Sequence, residues 1–123
     1  MKILISGVAG FIGFHLAYSL NKIPNFYVIG IDNLDSYYDV NLKKDRLSIL
    51  KKNSKKFIFY KSNICNKNKL SKIFKENKVD IVINLAAQAG VRYSIENPKK
   101  YFNTNLLGFF NILDVSIKYN IKH

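Results

Sequence analysis

Between Ile3 and Leu20 the chain has no Asp, Glu, Lys or Arg, and it carries glycines at positions 7, 10 and 13. A membrane span needs about 20 mainly apolar residues. This run is interrupted by Ser6, the three glycines, His15 and Ser19. Lys2 in front gives it the look of a secretory leader, but the period changes midway. Lys2–Ser6 (KILIS) has the length of a strand. Phe11–Lys22 has the length of a helix and stops before Pro24, whose ring cannot continue one. The sequence therefore predicts a strand passing through a glycine turn straight into a helix, with no targeting or transmembrane segment. A strand followed at once by a helix must stack the two in adjacent layers.

The alternation continues to the end of the chain. Tyr27–Asp32 (YVIGID), Phe57–Lys61 (FIFYK) and Val79–Leu85 (VDIVINL) are the next predicted strands. The last, mostly β-branched, is expected to be buried on both faces. Helices are predicted near Asn41–Lys52, with Leu42, Leu47, Ile49 and Leu50 on its apolar side, and at Lys67–Asn77, with Leu70, Ile73 and Phe74 on one face. A final helix starts with Asn97 as N-cap and Pro98 in its first position. Its Phe102, Leu106, Phe109, Leu113 and Ile117 recur at gaps of four and three, which predicts a core-facing stripe. Alternating strands and helices imply βαβ units and a parallel sheet in one α/β domain of 123 residues. Right-handed crossovers give the strand order 3-2-1-4. A complete doubly wound sheet continues past a fourth strand and helix, so the sheet is expected to be truncated at His123.

Gly7-Val-Ala-Gly10-Phe-Ile-Gly13 falls between the first strand and its helix. A dinucleotide pyrophosphate needs main-chain N–H groups at a helix N-terminus with no side chain in the way. Gly7 permits the tight turn, Gly10 the approach of phosphate, and Gly13 close packing of helix on sheet. Asp32 ends the second strand nineteen residues after Gly13, where a carboxylate accepts hydrogen bonds from ribose hydroxyls and repels a 2′-phosphate. No Arg follows directly, which favours NAD over NADP.

The formal net charge is +12, a value that suggests a polyanionic partner. Yet 18 of the 20 basic residues are Lys, with only Arg46 and Arg92, and Lys, Asn and Ile together fill 49 of 123 positions. That bias spreads lysine over solvated faces, and Arg, the better bidentate reader of phosphates and bases, is scarce. A specific nucleic-acid partner is not expected. Cys65 is the only cysteine, so no intramolecular disulfide can form. It reads as a small buried hydrophobe in a reducing cytoplasm. No metal site is expected.

The spacing GxxGxxG, Asp32-Asn33-Leu34 after the second strand, and Asn84-Leu85-Ala86-Ala87 after the fourth resemble the extended short-chain dehydrogenase/reductases, with their Rossmann-type fold. More narrowly, the stretch from Asp32 to Leu47 (DNLDSYYDVNLKKDRL) and that from Ala86 to Pro98 (AAQAGVRYSIENP) resemble the UDP-glucuronate 4-epimerase branch. The resemblance runs in register from Met1 to His123. It implies that Phe11 and Ile12 border the pyrophosphate and that Asn33 joins Asp32 at the ribose. It further implies that Leu85, Ala86, Ala87 and Gln88 pass beside the nicotinamide half and that Thr104 contacts the cofactor, with Asn105 structural. The family places an Asp before an apolar residue at the adenine; here Asn63-Ile64 stands, and Asn keeps an acceptor while gaining donors. Arg92 becomes a candidate contact for an anionic UDP-sugar.

By the same resemblance the parent enzyme is an NAD-dependent, homodimeric epimerase working through a transient 4-keto sugar. Its Tyr-x-x-x-Lys pair lies beyond the fourth strand, so no catalytic residue is expected in this chain. Tyr18-Ser-Leu-Asn-Lys22 fits that string, but it lies two turns or more down the first helix from the glycines, at the wrong end of the sheet for a ligand. His15 is expected to pack on its helix rather than act as a base. Three other readings stay open: a non-catalytic dinucleotide-binding remnant, a related nucleotide-sugar dehydratase or epimerase, and a basic domain that binds polyanions.

Overall fold

The computed structural model describes residues 1–123. Its elements in chain order are β1 (Lys2–Ser6), α1 (Phe11–Leu20), β2 (Tyr27–Asp32), α2 (Val40–Asn53), β3 (Phe57–Lys61), α3 (Lys67–Asn77), β4 (Ile81–Asn84), α4 (Val91–Glu96), α5 (Pro98–Tyr101), a π-helical segment (Phe102–Gly108) and α6 (Phe109–Lys118). The four strands form one parallel sheet in the order β3-β2-β1-β4, with Ile3 opposite Val28 on one side and Ile81 on the other.

Successive side chains of a strand point to opposite faces, and the core divides accordingly. Ile3, Ile5 and Val28 pack with Ala17 of α1 and Leu47 and Leu50 of α2. Leu4, Ile29 and Ile31 pack on the other face with Leu70, Ile73 and Phe74 of α3 and Ile112 and Val115 of α6. Helices therefore cover both faces of the sheet, and every strand points its C-terminal end to the same side. On α2 the apolar side is narrower than predicted: Leu47 and Leu50 are buried, while Leu42 and Ile49 are exposed.

Two expectations fail. Val79–Leu85 shortens to Ile81–Asn84, and all four strand residues are half-buried rather than enclosed. Only β1 pairs with β4 as a strand; beyond that, the His123 carbonyl accepts from Val82 N at 2.9 Å. β-Branching signalled the strand but not the number of layers around it.

The last helix fails more instructively. It is three pieces, and Phe102, Leu106, Phe109, Leu113 and Ile117 are all exposed, Ile117 to 77%. The buried residues of this arm are Gly108, Asn111, Ile112 and Val115. Asn111 Nδ2 donates to the carbonyls of Ile64 and Cys65, each at 3.1 Å. A Cβ on Gly108 would come within 2.6 Å of the Ile64 side chain. The docked face was thus chosen by a small residue that lets the helix approach and an amide that ties it to the turn after β3. Asn97 is in the N-cap position with Pro98 following, but its side chain makes no capping bond.

Candidate functional site

A groove opens at the C-terminal end of the sheet, where β1 and β2 end in adjacent turns. Gly7 N donates to Ile31 O at 2.8 Å, and Gly7 has φ +71°. A Cβ there would lie 2.8 Å from Ala86 N. Gly13 meets the same loop from the helix side, since its Cβ would fall 2.2 Å from Gly7 O. Gly10 differs: the only neighbour of a Cβ there is Gly7 O at 3.0 Å. A side chain there would press on that carbonyl less severely than at Gly7 or Gly13, and its absence leaves open the start of α1, which no side chain caps. Uncapped N–H groups at a helix N-terminus make an anion site.

Asp32 is buried beside this loop, its Oδ2 accepting from Ala9 N at 3.0 Å and its Oδ1 from Leu34 N at 2.8 Å. Each carboxylate oxygen keeps a further lone pair for a ligand hydroxyl. The second bond also braces Leu34, which holds φ +56° without being glycine. Asn33 lines the groove, its Oδ1 accepting from Asp35 N at 3.0 Å.

The floor and far wall come from β3 and β4. Ser62 N donates to Asp32 O at 3.0 Å, bringing Ser62, Asn63 and Ile64 into the lining. Asn63 Oδ1 accepts from Cys65 N at 2.9 Å, so the side chain offers a groove ligand its two N–H donors and one remaining lone pair. Ser6, at the end of β1, donates to the Asn84 side chain and accepts from Leu85 N and Ala86 N at 3.1 and 3.2 Å. That clamp sets Leu85, Ala86 and Ala87 along the groove. Asn105 fixes Gln88, accepting from its N at 2.7 Å and donating to its carbonyl at 3.0 Å. Thr104 lines the groove from the π-helical segment, a local winding frequent at functional sites.

Not every expected residue lies there. Phe11 and Ile12 are about two-thirds exposed, and their side chains border a hollow with His15 on the outer surface. What they can offer a pyrophosphate is main-chain N–H. His15 is exposed, in edge contact with the rings of Phe11 and Phe14. Arg92 is exposed on α4 and does not line the groove. The Lys22 ammonium lies 4.3 Å over the Tyr18 ring, at the end of α1 away from the glycines. Cys65 is not a core residue: it is half-buried, its Sγ donates to Asn103 O at 3.1 Å, and burial pushes the thiol up.

The groove also has residues that the sequence reading did not name: Asp35, Tyr37, Tyr38, Lys43 and Ser62. Asp35 Oδ1 accepts from Lys100 Nζ and from Tyr37 N, both at 2.9 Å. Burial opposes ionisation of Asp35, but those two bonds and the charges of Lys100 and Lys43 hold its carboxyl below the ordinary carboxylate value. The bond to Asp35, against a smaller effect of burial, raises Lys100 above the ordinary lysine value. The Tyr37 and Tyr93 rings lie 4.9 Å apart, and Tyr101 donates to the Ala89 and Gly90 carbonyls. These contacts tie the segment after β2 to the segment after β4. One signal could have exposed Lys43: it precedes Leu47 and Leu50 at gaps of four and three, a charged residue on a buried stripe.

The parallel sheet, the glycine turn at the switch between β1 and β4, and the groove beyond the strand ends define a Rossmann-type domain. Residues 4–123 match the family described as GDP-mannose 4,6 dehydratase, and the chain belongs to that family. It is 52% identical over its full length to protein CapI of Staphylococcus aureus. It is 44% identical over 97% of its length to a UDP-glucuronate 4-epimerase of Thermodesulfobacterium geofontis. UDP-glucuronic acid 4-epimerase from Bacillus cereus, solved with UDP-glucuronic acid and NAD, matches 94% of the chain with TM-score 0.85 at 34% identity. In all three the chain spans only 36% of the other protein's length. No helix is long and apolar enough to cross a membrane.

Proposed function

We propose that this chain is the NAD-binding part of a nucleotide-sugar 4-epimerase acting on UDP-glucuronate and UDP-galacturonate. The observation that carries the reading is Gly10. A Cβ there would meet Gly7 O at 3.0 Å, and without one the start of an uncapped helix lies open beside the buried Asp32. The Bacillus cereus relative of this shape was solved with UDP-glucuronic acid and NAD.

The residues present fit the dinucleotide. Gly7, Gly10 and Gly13, with the amides of Phe11 and Ile12, would hold the pyrophosphate; Asp32 and Asn33 would take the ribose. Asn63 would donate to adenine beside Ile64. Leu85, Ala86, Ala87, Gln88 and Thr104 would line the nicotinamide half, and Arg92 would meet an anionic part of the substrate. The chemistry NAD supplies is reversible hydride transfer at C4 of the uronate, through a transient 4-keto sugar. The Tyr-x-x-x-Lys string of this chain, Tyr18–Lys22, lies away from the groove, and the tyrosines that line it, Tyr37 and Tyr38, have no lysine four residues on. The chain alone is therefore expected to bind cofactor without turning over substrate, the whole protein working as a homodimer away from membranes.

Calorimetric titration with NAD and NADP, alongside an assay of UDP-glucuronate conversion, tests this reading. NAD should bind more tightly than NADP, and residues 1–123 alone should give no turnover. Tighter NADP binding, or turnover by a folded 1–123 fragment, would overturn it.

A further inference from the structure

A lysine is buried in the groove with no carboxylate of its own. Lys43 is 5% exposed and sits on the inward side of α2 with Leu47 and Leu50. Its Nζ donates to Asp35 O at 2.6 Å and lies 4.0 Å from the centre of the Tyr38 ring. It forms no ion pair. The Asp35 carboxylate is engaged by Lys100, and both oxygens of Asp32 accept main-chain amides. An ammonium has three donors; here the Asp35 carbonyl takes one, and the residue lines the groove. A buried charge is costly unless it is hydrogen-bonded, so the remaining donors call for acceptors on whatever fills the groove. A second orphan lies in the same lining: Ser62 Oγ, in a residue 5% exposed, has no partner.

We propose that Lys43 contacts the cofactor and helps to determine which cofactor is taken, an inference that rests on the dinucleotide reading above. Its ammonium donates to the adenosine ribose oxygens whose hydrogens Asp32 accepts. Lys43 and Asp32 therefore act as an opposed pair. Asp32 excludes a 2′-phosphate, and Lys43 favours one. Arg46, three residues along α2, adds a second cation close by, its Nη1 donating to Ala9 O at 3.1 Å and Tyr38 OH at 3.3 Å. Asp35 offsets them only in part, since its carboxylate is paired with Lys100. The preference for an unphosphorylated ribose thus depends on the single charge of Asp32, and Lys43 is a latent 2′-phosphate site.

The experiment is calorimetric titration with NAD and NADP of four forms of the protein: native, Lys43→Met, Asp32→Asn, and the double variant. Circular dichroism establishes that each is folded, and Lys43→Gln, which keeps a donor without the charge, replaces Lys43→Met if that variant is unfolded. Lys43→Met should weaken NAD binding about tenfold, the loss of one charged hydrogen bond. Asp32→Asn should raise NADP affinity about tenfold or more, and adding Lys43→Met should remove that gain. Unchanged NAD affinity in a folded Lys43 variant, or an NADP gain that survives in the double variant, would overturn the assignment. Native protein that binds neither dinucleotide would instead overturn the parent reading.

Discussion

The glycine turn between β1 and α1 and the apolar arm from Pro98 to Lys118 are both plain in the sequence, one through three glycines and the other through a stripe of Phe, Leu and Ile. They fared differently. In the turn, the close contacts of Gly10 and Gly13 lie within six residues along the chain, and those of Gly7 are to the end of a neighbouring strand. Local chain geometry accounts for Gly10 and Gly13 and for the positive φ of Gly7, to which the end of β4 adds a second steric limit. In the arm, helix formation is local, but orientation is not. An apolar stripe says that a face is suited to burial; which face docks on this sheet was decided by Gly108 and Asn111 meeting the turn after β3. The comparison teaches that a motif defined by steric limits survives transfer from sequence to structure better than one defined by hydrophobicity.

Substitutions can break that comparison. The largest effect is expected at Gly13. Valine there would drive a branched side chain into Gly7 O and should destabilise the fold by about 3 kcal/mol, measured by denaturant unfolding. A loss below about 1 kcal/mol would show that the turn relaxes and that its glycines are not sterically required.

On the arm, Ile112→Ala should cost about 3 kcal/mol and Ile117→Ala within about 0.5 kcal/mol, although both are isoleucines of α6. Equal losses would restore the stripe as the packed face.

Gly10→Val separates packing from binding. Stability should fall by about 1–2 kcal/mol, less than at Gly13, because the Cβ meets Gly7 O at 3.0 Å, while NAD affinity falls about a hundredfold or more, since the side chain occupies the pyrophosphate's approach. Unaltered affinity in the folded variant would reduce the whole string to a turn.

The smallest effect concerns the Asp35–Lys100 contact that ties the two groove walls. Asp35 titrates below its ordinary value, so its contribution is complete above about pH 3.9 and is lost as pH falls through its lower folded value. Lys100 titrates above its ordinary value, so its contribution is complete below about pH 10.4 and is lost as pH rises through its higher folded value. The melting difference between native protein and Asp35→Asn should therefore be constant from about pH 4 to 10 and shrink outside that window. For a partly exposed pair it should correspond to about 1 kcal/mol or less. A difference that varied around neutrality would mean another group governs the contact.

The sequence by itself determined the parallel order 3-2-1-4, the bounds of β1, β2, β3 and α3, and the places of Gly7, Gly10, Gly13 and Asp32. Period, breaker residues and the handedness of crossovers act over short stretches of chain, and a strand end followed by glycine leaves few conformations. Tertiary structure alone decided that β4 is half-exposed, that Phe102, Leu106, Phe109, Leu113 and Ile117 face outward, and that α4 precedes the arm. It also decided that Lys43, marked among eighteen lysines only by its spacing from Leu47 and Leu50, is buried in the groove. Composition cannot distinguish that lysine from the solvated ones. Its burial follows from α2 packing with Leu47 and Leu50 inward and from the Asp35 carbonyl meeting its ammonium, contacts that exist only once β2, α2 and the turn between them are assembled.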